Sequence, residues 1–282
     1  MRHILISLSM YGPEMPVEWN ELRLEMIEST SAPSIRYQTT RDFEWLVTLH
    51  PDDPLLARRI AAFESGGVGC RFVYLDPASP TRLGEPEGRV NPGLAASTVE
   101  NWWEVSWRID QLLSPVLSEL HEPMLLTRFD DDDAFATDAL QRVEAAAAGN
   151  RDPNPVVWML PQGLLVWYTP PTPTEIQPFR HPLNGFSSFQ VPPGSRIHPF
   201  SYGHNKVADH LPVRVVDEEI AWAEFRHHDN MSRFSRKHAR ASGRLVGVGG
   251  ASGTEMTLGQ TIGLTEASTL LAKIPLDWRR WQ

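Results

Sequence analysis

The sequence predicts an α/β fold with a mixed, mainly parallel central sheet flanked by helices, and three observations carry that prediction. Short apolar runs at residues 4–8, 43–49, 70–75 and 124–129 alternate with stretches of helical apolar spacing, which is the signature of βαβ units. Further apolar runs at 156–160 and 164–168 flank a turn-forming tripeptide and add strands of the antiparallel kind. Finally, the run at 124–129 breaks directly into four aspartates, so acids stand at the carboxyl end of a strand, where open α/β sheets place their ligands.

Residues 4–8 are the first predicted strand, followed by the Gly12-Pro13 turn. A helix is expected over 17–29, because Trp19, Leu22, Met26 and Ile27 form one stripe at near 3.6-residue spacing. Ala32-Pro33-Ser34 is expected to stop it. The second strand, 43–49, ends in His50-Pro51-Asp52-Asp53-Pro54, and 55–63 is a short helix. Glycines between 66 and 69 turn the chain into a third strand, 70–75, ending at Asp76. Residues 78–93, rich in proline, glycine and charge, read as a loop. Helix resumes near Ser97 with Trp102, Val105, Ile109 and Leu112 on one face, and Pro115 is expected to end or kink it. After the strand at 124–129 another helix is expected over 134–148. The runs at 156–160 and 164–168 then read as a hairpin around Pro161-Gln162-Gly163. Pro170, Pro171, Pro173, Pro178 and Pro182 mark a long loop, and 186–191 returns as a strand. Gly247 to Gly253 misses the dinucleotide fingerprint, because Ser252 takes its sixth place, and reads as a loop before a C-terminal appendage.

The most chemically pointed stretch is Arg128-Phe129-Asp130-Asp131-Asp132-Asp133. Four adjacent carboxylates repel unless water or a cation neutralises them, so the run is either a solvated turn or a metal site. An EF-hand begun at Asp130 fails, because Phe135 would occupy the glycine position and Gln141 the final carboxylate. Hard oxygen ligands of this kind select Mg²⁺ or Mn²⁺ over zinc. Polar or acidic strand ends at Ser7 and Asp76 fall on the same predicted sheet edge. Six of the ten histidines lie between His198 and His238, and the stretch from Arg233 through Lys237 to Arg244 is the one clearly basic patch. That patch is either a solvated helix face or a clamp for a diphosphate.

With 282 residues and 41% hydrophobic content the chain can bury a large core without staples. A single cysteine, Cys70, excludes an intramolecular disulfide and reads as a structural thiol in a reducing compartment. The apolar start is too short for a membrane span, so a cytoplasmic protein is expected. A net charge of −9 argues against general nucleic-acid binding.

Several separated pieces resemble the rhamnosyltransferases of bacterial glycan synthesis, which are similar to glycosyltransferases of the GT-A type. They are Trp19 with Arg23, Pro33-Ser34, Gln38-Thr39, Phe43-Glu44-Trp45, Thr127 to Ala134, His204-Asn205-Lys206-Val207, and Trp222 followed by His227-His228-Asp229-Asn230. The resemblance implies a GT-A-like domain over 1–235 with 236–282 as its appendage, and transfer of a sugar from a nucleotide-sugar donor to a glycan or small-molecule acceptor. It implies a divalent metal on Asp130, Asp132 and Asp133, with Asp131 at the variable place of the motif. His227 would complete the shell, with His204 as the second candidate. Arg128, Ser7, Asp76, Arg233 and Lys237 are the expected donor-binding residues. The catalytic base stays open among Asp209, Asp217, Glu218 and Glu219, and Trp158, Trp167, Phe186 and Phe189 are candidates for stacking on sugar rings. A metal-dependent phosphohydrolase and a non-catalytic carbohydrate-binding protein are the alternatives.

Overall fold

The computed structural model describes residues 1–9, 12–13, 15–74, 99–119, 121–169, 172–202, 204–226, 244–245, 256–262 and 269–276. Its centre is a seven-stranded mixed sheet. The parallel part contains β1 (Arg2–Ser9), β2 (Phe43–Leu49), β3 (Gly69–Tyr74) and β4 (Met124–Arg128) in the order β4-β1-β2-β3. Successive residues of β1 divide between two cores, with Leu5 packed on one side and Ile4 and Ile6 on the other, as the two-residue period of a strand requires. The first core is covered by α1 (Val17–Met26), α2 (Ala32–Arg36) and α3 (Leu56–Glu64), and the second by α4 (Val99–Ser118). Among the described residues, no helix is long and apolar enough to cross a membrane.

The first helix does not stop at Pro33. It widens into a π turn at Ile27–Ser31 and continues as α2, whose first turn takes Pro33, where a missing N–H is cheap. Likewise Pro115 lies inside α4. The segment after the acids is not helical from residue 134: Ala134–Phe135 is a short strand, β5, and α5 begins only at Ala139 and ends at Ala148. Cys70 is half-buried and its thiol is pushed up to about 11, by burial first and Glu64 second, which suits a structural residue.

The expected hairpin does not form. β6 (Val156–Met159) belongs to the central sheet between β9 (Ser188–Val191) and β10 (Val213–Val215), whereas β7 (Gln162–Thr169) starts a second sheet. In that sheet β7 pairs antiparallel with β8 (Thr172–Arg180) and parallel with β11 (Ile220–Arg226), and β11 pairs antiparallel with β5. The proline-dense loop is thus largely the strand β8. Its outer side is paired with β13 (Met256–Leu258) only at Phe179 and Arg180, and β13 in turn pairs with β12 (Arg244–Leu245).

Gly163 sits where it does because β11 crosses it closely. A Cβ built on it would meet the Trp222 ring at 2.2 Å, at the point where the β7–β11 register shifts. Trp222 cannot retreat, being fully buried, stacked on Phe186 with centroids 4.7 Å apart, and donating its indole N–H to Leu160 O at 2.7 Å. Gly163→Ala is therefore expected to destabilise the protein by about 1–3 kcal/mol or more, measured by chemical denaturation.

Candidate functional site

The chain runs outward along β1, β2 and β3, then returns to place β4 on the other side of β1. The switch point of the sheet is therefore the crevice between the carboxyl ends of β1 and β4. The aspartate run leaves β4 at that crevice.

Asp131, which the motif comparison put at the variable place, is the most enclosed of the four. Its carboxylate accepts from Ser9 Oγ at the end of β1 (2.6 Å) and from the Arg23 guanidinium, and its carbonyl accepts from Ser31 Oγ at 2.8 Å. Ser31 is the last residue of the π turn, so the local widening of that helix is what aims its hydroxyl. Arg23 also donates to Asp132, and lies over the Trp19 ring at 5.6 Å. One buried arginine thus ties two buried aspartates to α1.

Asp130 is more open and is held by Arg128 in a two-point pair, 2.9 Å from Nε and 2.8 Å from Nη2. Arg128 in turn lies under the Phe200 ring at 5.1 Å and against Gly185. Asp133 is buried and receives the Phe225 amide at 3.0 Å. Its carboxyl is held well above the usual range, by burial first and then by Asp132, Glu224 and Asp130. Glu224 on β11 is raised for the same reasons: burial leads, Asp130 and Asp132 add to it, and Arg226 and Arg128 oppose it. Asp130 to Asp133 and Glu224 outnumber the guanidiniums of Arg23, Arg128 and Arg226 by two charges if all are ionised.

The structure brings Arg128, Asp130, Asp132 and Asp133 to one place, together with Arg23, Ser9, Ser31 and Glu224. Among the described residues, no three His, Cys, Asp or Glu side chains form a ready metal cage. Ser7 is committed elsewhere: its buried hydroxyl donates to Phe129 O at 2.6 Å and accepts from Trp45 Nε1 at 2.9 Å. Asp76, His227, Arg233 and Lys237 lie outside the described residues, and His204 begins a 3-10 turn, His204–Asp209. The open base candidates are engaged away from the acids. Asp217 pairs with Arg142, Glu218 with Arg180, Glu219 with Lys273 and Asp209 with Lys206. Trp158, Trp167, Phe186 and Phe189 are buried, and both tryptophan N–H groups are satisfied by glutamines, so these aromatics serve as core rather than as a sugar platform.

Two signals in the sequence pointed to site roles that the motif reading did not assign, for Arg23, which it named only beside Trp19, and for Glu224. Arg23 follows Trp19 by four residues on a helix face that is otherwise apolar, and an arginine there needs an acid partner. Glu224 shares a strand face with Trp222 and Arg226, next to the chain that carries the acids.

No curated protein matches the chain. A family model described as "Putative rhamnosyl transferase" matches residues 99–239, which is half of the sequence and includes β4, the aspartate run and β11. The residues that close the site from the N-terminal side, Ser9, Arg23 and Ser31, precede the matched stretch. The mixed, mainly parallel sheet, the acids at its switch point and the family match agree, and the chain belongs to this rhamnosyl transferase family of glycosyltransferases.

Proposed function

We propose that the protein transfers a sugar, rhamnose in keeping with the family, from a nucleotide-diphosphate donor to an acceptor hydroxyl of a glycan or smaller molecule, with Mn²⁺ or Mg²⁺ at the aspartate run. The observation that carries the metal is the excess of acids over arginines around Asp133 among the described residues. A buried carboxyl surrounded by Asp132, Glu224 and Asp130 is unfavourable as an anion until a cation arrives. A magnesium-like ion takes one or two carboxylates and completes its shell with water and substrate phosphates.

Asp133 and Asp130 are the ligands we assign, with His227 as a further candidate because it follows directly on the last residue of β11. Asp132 is better assigned to orientation, since Arg23 holds it in an enclosed position, whereas Asp130, though paired with Arg128, is more open. When bound, the ion supplies a Lewis acid that offsets charge on the departing diphosphate. Arg128, gripped by Asp130 at the rim, offers that diphosphate a guanidinium, and Asp76, Arg233 and Lys237 remain proposed donor contacts. The same acids would serve a phosphohydrolase, and a carbohydrate-binding protein would need neither metal nor nucleotide.

Thermal-shift measurements with dTDP, UDP and GDP, with and without Mn²⁺, separate the three. A transferase should show a nucleotide response that requires metal, amounting to about 2.7 kcal/mol of stabilisation at a hundredfold excess over Kd. No response to any nucleotide in the presence of Mn²⁺ would defeat the proposal.

A further inference from the structure

Between β9 and the 3-10 turn the chain has no strand or helix, yet residues 195–201 are fixed by local bonds. The Ile197 amide donates to Ser195 Oγ at 3.1 Å, the His198 amide to Ser201 Oγ at 3.0 Å, and the Ser201 amide back to His198 O at 2.9 Å. Short polar side chains that bond the main chain in this way select one backbone path.

His198 stands at the centre of that path and is fully buried. Its Nδ1 accepts the Phe200 amide at 3.2 Å, so the ring proton resides on Nε2. Nε2 faces Asp110 Oδ1 of α4 at 3.5 Å, an ion-pair distance rather than a close hydrogen bond. Burial holds the imidazole below its usual range and Asp110 opposes that, so at neutral pH the ring is uncharged and Nδ1 keeps its lone pair for Phe200.

Phe200 is what this arrangement places. It belongs to the second core, is 1% exposed, and has the Arg128 guanidinium carbon 5.1 Å from its ring centre. A ring face attracts a guanidinium without any carboxylate. Arg128 has use for such a hold, because its ion-pair partner Asp130 is also a proposed metal ligand, and a divalent ion on that carboxylate weakens its grip on the arginine. The hold of the ring persists when the ion arrives.

We propose that His198 is a positioning residue for donor binding: by fixing the Phe200 turn it keeps the ring against Arg128, so that the guanidinium stays aimed at the diphosphate once Asp130 is shared with the metal ion. This rests on the nucleotide-diphosphate reading above and extends it to residues outside the acid run. His198 acts through Phe200 and Arg128.

Phe200→Leu, His198→Leu and His198→Asn test it. Leucine at 200 keeps apolar bulk and removes the ring. At position 198 leucine keeps bulk but offers the Phe200 amide no acceptor, whereas asparagine can accept that amide through Oδ1, as in an Asx turn. Titration of the full chain with inorganic pyrophosphate in saturating Mn²⁺ should show both leucine variants weakened by about threefold to tenfold and His198→Asn within about twofold of the parent. Affinity for Mn²⁺ alone should be the same in every variant, which a general loss of structure would not allow. The double variant Phe200→Leu/His198→Leu should bind pyrophosphate no more weakly than Phe200→Leu, because the two residues act in series. Parental pyrophosphate affinity in either leucine variant overturns the inference, as do additive losses in the double variant or an equal loss in His198→Asn and His198→Leu. A fall in Mn²⁺ affinity that matches the fall for pyrophosphate makes the role structural and overturns it too. If the parent binds Mn²⁺ but no pyrophosphate, the diphosphate reading falls and takes this inference with it.

Discussion

Replacing Arg23 with alanine will cost about 3–5 kcal/mol of stability, read as a lowered denaturation midpoint. Two carboxylates, Asp131 and Asp132, share this guanidinium, and all three side chains are almost wholly enclosed. Removing the arginine leaves both acids buried beside Asp130 and Asp133 with their principal counter-charge gone. Arg23→Lys should recover only part of the stability, because a single ammonium cannot reproduce two divergent guanidinium contacts. An Arg23→Ala protein within 1 kcal/mol of the parent at neutral pH, by the scale of exposed ion pairs, would show that Asp131 and Asp132 do not depend on this arginine.

The parallel half of the sheet was legible because its strands are nearly continuous apolar runs divided by helices, and such runs have few alternative uses. The second sheet was not. Pro161-Gln162-Gly163 carries the composition of a hairpin turn, yet the strands on either side of it do not pair with each other: β6 pairs with β9 and β10, and β7 pairs with β8, which follows it directly, and with the distant β11. Local sequence reports that a strand ends, not what it will pair with. Gly163 was read as a turn glycine, whereas its position answers to Trp222, about sixty residues later. The prolines of β8 misled in the same way, since a strand with sparse outer pairing can spare individual N–H donors.

The acid site shows a similar division. Its place at the end of β4 could be read from the switch of an apolar run into aspartates, but the separate duties of those aspartates could not. Asp131 is set apart by Ser9, Ser31 and Arg23, all about one hundred or more residues away in sequence. Motif spacing treated Asp131 as the variable position. The fold makes it the anchor, and Asp133 and Asp130 are the acids we propose for the cation.

Asp133→Asn should separate stability from function at this site. The carboxyl of Asp133 titrates higher in the folded protein than in the unfolded chain, because burial and neighbouring acids disfavour its anion. The folded state therefore holds the extra proton over that window. Stability attributable to Asp133 declines as pH rises from the ordinary carboxylate range through its raised value. Asparagine removes the charge and keeps an oxygen for the Phe225 amide, so without metal the variant should match or exceed the parent's thermal stability, and its advantage should grow from pH 5 to pH 8. Mn²⁺ should act in the opposite sense on the parent, stabilising it more at pH 8 than at pH 5, because the ion must displace the proton. The variant should lose that response, and sugar transfer from the donor should fall by about a hundredfold or more. A variant that keeps the parent's Mn²⁺ response at pH 8 would remove Asp133 from the metal site. A variant less stable than the parent at every pH would show instead that the buried carboxylate is already neutralised within the protein.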